Sequence, residues 1–132
     1  MSDRFAEGLA KAGVNGRPGG YFPAFKENQL SGEEIKSLLF GSTITGISQD
    51  GEKWWVERKK NGDLTYRGEG PLSTDRGKSW IDGDVVCQHY QKRWEGLEFH
   101  STVFRNPKGT YERKDEYFLC RDVGFAPFSV VR

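Results

Sequence analysis

From Ser42 to the C-terminus the chain runs in short polar–apolar stretches separated by glycine-bearing turns. A period of two belongs to a strand with one buried face, because successive side chains point to opposite sides of a sheet. The pattern predicts strands over Ser42–Ser48, Lys53–Lys60, Asp63–Gly68, Lys78–Asp82, Val85–Arg93, Leu97–Arg105, Thr110–Arg121 and Pro127–Val131. Their connections, QDGE, NG, DGD, WEG, NPKG and VGF, have turn chemistry. Strands at this spacing, with no helix between them, predict an all-β protein: an antiparallel up-and-down β-barrel of about eight strands. No internal repeat of fixed period is visible, which argues against a propeller or solenoid.

A different pattern precedes the strands. Ser31 is placed to cap a short helix, with Glu34 at the capping-box position three residues on. Ile35, Leu38 and Leu39 form an i, i+3, i+4 apolar face, and Gly41 ends the segment. Residues 1–30 read as an N-terminal arm packed on the domain formed by residues 31–132. A short helix over Asp3–Ala12 fits the arm, with Tyr21, Phe22 and Phe25 pinning it down. GRPGG has the glycines of a phosphate loop but neither its preceding strand nor its Lys-Ser/Thr ending.

Trp54 and Trp55 are adjacent on one predicted strand, so one indole goes in and the other out. A two-residue turn at Asn61-Gly62 mixes polar and apolar residues on both faces of the hairpin. A three-residue loop, Lys60-Asn61-Gly62 with Gly62 left-handed, pairs Lys59 with Asp63. Trp54, Val56, Leu64 and Tyr66 then share the core face, and Trp55, Glu57, Lys59, Thr65 and Arg67 share the other. The clean separation selects this register. It sets Trp55 nearly opposite Arg67, in reach of a cation–π contact. Farther on, a four-residue Asn106–Gly109 loop pairs Phe104 with Tyr111 and His100 with Asp115. The register around IDGDVVC is not fixed by pattern, so Trp80, Cys87 and His89 take no face from it.

Composition narrows the function. The 132 residues carry 30% charged side chains that nearly cancel, leaving a net charge of +1. A dedicated polyanion binder needs an excess of Lys and Arg on one face. The clusters Arg58-Lys59-Lys60, Lys92-Arg93 and Arg113-Lys114 all lie beside acidic residues, and no nucleic-acid partner is expected. Aromatics reach 14%, enough to build a core from few large pieces. No apolar run is long enough for a membrane span, and residues 1–30 lack the apolar region of a signal peptide. The chain as written reads as cytoplasmic, or as periplasmic if a leader was removed. Cys87 and Cys120 are compatible with a disulfide or with two separate buried thiols.

Catalytic and metal signatures are absent. There is no G-x-S-x-G, H-E-x-x-H, Walker A or zinc spacing, and His89 and His100 are the only histidines. A His100–Asp115 pair reads as a cross-strand pair, since no nucleophile accompanies it. No catalytic residue, metal ligand or cofactor is assigned.

The stretch LSGEEIKSLLFGSTITG, a DG turn, a Trp-bearing strand and GKSWIDGDVVCQHY together resemble small bacterial calycin-like (lipocalin-like) barrel domains of uncharacterised function. The resemblance spans about Leu30 to Val131, with Ser79 standing where the pattern has its Trp and Trp80 one place on. It implies a barrel with a ligand cavity, often in an exported protein, and carries over no catalytic residue.

The leading expectation is a non-enzymatic module holding a small or amphipathic ligand in the barrel mouth. Trp54, Tyr66, Trp80, Tyr90 and Phe99 are the wall candidates, since such pockets are largely aromatic. The alternative is a protein–protein or homodimer interface on the Trp55–Arg67 face. An enzyme built around His89 or His100 comes last.

Overall fold

Each strand pairs antiparallel with the next, and the last returns to the first, so the sheet closes into an eight-stranded barrel in chain order. The fold is taken from a computed structural model that describes residues 26–48, 51–69, 74–107, 115–121 and 124–132, with backbone alone at Trp94 and Glu95. The strands are β1 (Ser42–Ile47), β2 (Lys53–Arg58), β3 (Asp63–Gly68), β4 (Thr74–Asp82), β5 (Val85–Tyr90), β6 (Glu98–Arg105), β7 (Tyr117–Arg121) and β8 (Gly124–Val130). Closure rests on Ile44 opposite Val130 and Thr45 opposite Ser129. It satisfies the strand edges that an open sheet would leave unpaired.

The β2–β3 hairpin has the expected register. Trp55 faces Arg67 and Val56 faces Tyr66. Lys59 N–H donates to the Asp63 carbonyl (2.9 Å), and Gly62 sits at φ 97°. A Cβ on Gly62 would also come within 2.4 Å of the Ser79 carbonyl oxygen, so both conformation and space demand glycine. Alternation then carries Trp54, Val56 and Arg58 inward with Ile44, Leu64 and Tyr66. Gly46 makes room for Trp54, since a Cβ there would meet the indole at 2.4 Å.

The helix forms as its caps predict. α1 spans Gly32–Leu39, the Ser31 hydroxyl accepts from Glu34 N–H, and Glu34 accepts from Ser31 N–H. Ile35 and Leu39 are fully buried in the main core with Val86, Leu64 and Val103. At its start Gly32 N–H donates to the Asp84 carboxylate in the β4–β5 turn (2.8 Å). At its end Gly41 N–H donates to the Arg58 carbonyl (2.6 Å). The helix therefore spans from one wall to the other and plugs one end of the barrel. Ahead of it, Lys26–Asn28 forms a 3-10 turn, and Leu30 N–H donates to the Val103 carbonyl. The Asp3–Ala12 helix and the roles of Tyr21, Phe22 and Phe25 lie outside the described residues.

Two expectations change, and one open alternative is decided. First, β5 stops at Tyr90 and a 3-10 turn, Arg93–Gly96, follows. The cause is Asp75, whose carboxylate takes the N–H groups of Lys92 (3.0 Å) and Arg93 (2.7 Å) and turns the chain off the strand path. Second, β6 and β7 do not pair across a four-residue loop: Phe104 faces Phe118, and His100 faces Cys87 instead of Asp115. Asn106 fixes this pairing, with its N–H on the Glu116 carbonyl and its side-chain amide on the Asp115 carbonyl. Residues 108–114 lie outside the described set.

Of the two readings left open for the cysteines, the structure has the separate buried thiols. Both are buried free thiols, Cys87 on β5 and Cys120 on β7. β6 lies between them, pairing His100 with Cys87 and Thr102 with Cys120. Two strand spacings amount to about 10 Å, beyond the roughly 7 Å Cα limit of a disulfide. Both point away from the barrel interior, yet they are buried, as are Phe104 and Phe118 on the same outer face.

Candidate functional site

Alternation along β2 places a charge in the barrel. Arg58, two residues beyond Val56, points inward and is 1% exposed. Its Nε donates to Ser79 Oγ (3.0 Å) and one terminal nitrogen, Nη2, donates to Gln88 Oε1 (3.0 Å). Ser79 is oriented in turn, because its hydroxyl donates to the Cys87 carbonyl (2.8 Å). The guanidinium carbon lies 5.8 Å from the centre of the Phe40 ring, at the end that α1 plugs. The other terminal nitrogen, Nη1, is buried with no hydrogen-bond partner. Burial pushes the Arg58 pKa down to about 10, opposed by Tyr90, so the group is still a cation at neutral pH.

Toward the other end the interior becomes aromatic and cationic. Tyr90 is 1% exposed and meets Tyr66 edge to face at 6.2 Å. Burial pushes the Tyr90 hydroxyl up to about 12, while Arg58 and Arg93 pull it back. Arg93, carried by the 3-10 turn after β5, lays its guanidinium 3.8 Å from the centre of the Tyr66 ring. Arg121, on the inward face of β7, lies 5.4 Å from the Phe99 ring. Burial lowers its pKa, and the charge of Arg93 adds to that.

One acid belongs to this group. Among the described residues Asp75 is the sole buried carboxylate. Burial pushes its carboxyl up, but the N–H groups of Arg93, Arg76 and Lys92 outweigh that and hold it below the ordinary carboxylate range. Its oxygens thus serve the backbone of the turn that delivers Arg93.

The structure brings together four of the five expected wall residues. Trp54, Tyr66, Tyr90 and Phe99 share the interior face. Trp80 does not: Ser79 takes the inward position beside Arg58, and Trp80 stands on the outer face, opposite Cys87 and 38% exposed. Pattern reasoning missed Arg58, Arg93, Arg121, Ser79, Gln88 and Asp75. The signal for Arg58 was present, since the step of two that seats Trp54 and Val56 continues onto it. Arg93 carried no such signal, because it follows a chain reversal made by a distant carboxylate.

On the outer face Trp55 is half-buried by its own neighbours, with Arg67 at 4.7 Å and Lys53 at 5.3 Å from its ring centre. His100 is exposed and its Nε2 lies 2.5 Å from Glu98. An open depression of about 530 Å³ lies beside α1, bordered by Leu30, Leu38 and Tyr117 and crossed by the Arg105–Glu34 ion pair. It is a shallow surface feature whose one cation, Arg105, is already paired with Glu34. Among the described residues no three His, Cys, Asp or Glu side chains converge as metal ligands would. No helix among them is long and apolar enough to cross a membrane. No family model, curated protein or solved structure matches the chain.

Proposed function

We propose that this protein is a non-enzymatic binding module, holding a small or amphipathic ligand in the mouth of a calycin-like barrel. The observation that carries the reading is the lining of the barrel away from α1. Trp54, Tyr66, Tyr90 and Phe99 share the interior face there, and Arg93 stacks on Tyr66 at 3.8 Å. Aromatic walls with a few fixed polar groups are the usual lining of a small-molecule site. Native mass spectrometry of freshly purified protein tests it. The expected result is a retained small molecule that leaves on denaturation, with retention reduced in Phe99→Ala. A ligand-free spectrum, together with no binding of added amphiphiles, overturns the reading.

A second reading uses the outer face. Trp55 with two cations over its ring, and Ile47 next to Lys53 at 49% exposure, form a surface suited to a protein partner or a second copy. The same spectra report it, as a dimer that Trp55→Ala dissolves.

A further inference from the structure

Arg58 is a buried cation held on two sides and unfilled on the third. Ser79 and Gln88 fix Nε and Nη2, and the planar guanidinium then leaves Nη1 no freedom to swing toward either. Nη1 is enclosed and makes no hydrogen bond. A charge taken out of water needs a counter-charge or full hydrogen bonding. Neither Ser79 nor Gln88 carries charge, and Asp75 is occupied by the backbone of residues 76, 92 and 93.

We propose that the barrel interior takes an oxyanion, the carboxylate or phosphate group of its ligand, with Arg58 Nη1 as the deepest donor. This rests on the binding-module reading and names the chemistry of what is bound. The positions of the other cations fit it. Arg93 and Arg121 stand on the side away from α1, beside Tyr66 and Phe99, and Tyr90 lies within electrostatic reach of all three guanidiniums. An anion in the interior meets the positive charge of Arg93 and Arg121 and, deeper, that of Arg58, in low-dielectric surroundings that strengthen the attraction. A neutral head group leaves the Arg58 charge uncompensated, and a cationic one is repelled. The expected order is anion, then neutral, then cation. Charge selects the head group and the aromatic wall takes the rest of the molecule.

The test uses the full chain and four probes: decanoate, decanol, decyltrimethylammonium and inorganic phosphate, each titrated by calorimetry at neutral pH. Decanoate is expected to bind at least ten-fold more tightly than decanol, with decyltrimethylammonium weakest. Arg58→Met is expected to abolish that preference. Phosphate binding that Arg58→Met removes assigns a free oxyanion, whereas decanoate binding without phosphate binding assigns the head group of an amphiphile; either supports the proposal. Equal affinity for decanoate and decanol in the unaltered chain, with no phosphate binding, overturns the anion and leaves the binding-module reading standing. Binding of none of the four overturns both. The comparison of probes on the unaltered chain decides the matter even where Arg58→Met does not fold.

Discussion

Arg67 lies opposite Trp55 across the β2–β3 pair, its guanidinium carbon 4.7 Å from the centre of the indole ring. The contact reports the register of the hairpin, because a slip of one residue would send Arg67 into the barrel. A double-mutant cycle of Trp55→Ala and Arg67→Ala is expected to give a coupling of about 0.5–1 kcal/mol in urea unfolding. A zero coupling would show that the stacking adds nothing beyond burial.

Gly62 is the turn residue on which that register depends. Its φ of 97° and the 2.4 Å approach to the Ser79 carbonyl leave no place for a side chain. Gly62→Ala is expected to destabilise the fold by more than about 1 kcal/mol. An unchanged unfolding midpoint would refute the assignment.

The interior polar cluster makes a prediction of opposite sign. Arg58→Met alone strips Gln88 Oε1 of its donor and is expected to destabilise. Arg58→Met with Gln88→Leu removes both partners, and the double variant is expected to equal or exceed the parent by about 1–4 kcal/mol, as when other buried charges are replaced by apolar groups. Chemical denaturation in the absence of ligand checks it. A gain in stability with a loss of anion preference would show a charge kept for binding at a cost to the fold.

Asp75 sets a pH dependence. Its folded-state carboxyl lies below the ordinary value of 3.8, so its contribution is present above that value and is lost as pH falls through the folded pKa. Asp75→Asn weakens the contacts to the backbone N–H groups of Arg76, Lys92 and Arg93. At neutral pH it is expected to lose about 1.5–3 kcal/mol of stability. The gap to the parent is expected to close in acid; a gap constant from pH 7 to pH 3 would exclude ionisation as its source.

Cys87 and Cys120 are expected to remain thiols. Intact mass is expected to be the same with and without reductant. Burial raises the Cys87 pKa, with Asp82 and Glu98 adding to it, so little thiolate exists for an alkylating agent to attack. Iodoacetamide at pH 8 is expected to label neither residue in the native protein and both after denaturation. Rapid native labelling would contradict their burial.

The barrel was legible where local and global signals agreed. Trp54, Val56, Leu64 and Tyr66 alternate cleanly, and Gly62 supplied the turn that keeps them on one face. The β6–β7 pairing was hidden because NPKG is a good local turn, while the pairing that forms is fixed by Asn106 and by Phe104 against Phe118. Trp80 was ambiguous for a related reason. An aromatic beside a serine looks like the inward residue until the serine is seen to orient a buried arginine. The site was half legible. Large aromatics announce an interior, but an arginine in a run such as Arg58-Lys59-Lys60 looks like surface until the strand period is followed to its end.

Pairing of Ile44 with Val130 joins the first strand of the sheet to the last. During synthesis β1 therefore waits, with one flank bare, until β8 emerges, and a chain cut short of β8 presents two raw edges to its neighbours. Losing β8 would turn a self-contained ring into an open ribbon that other strands can extend.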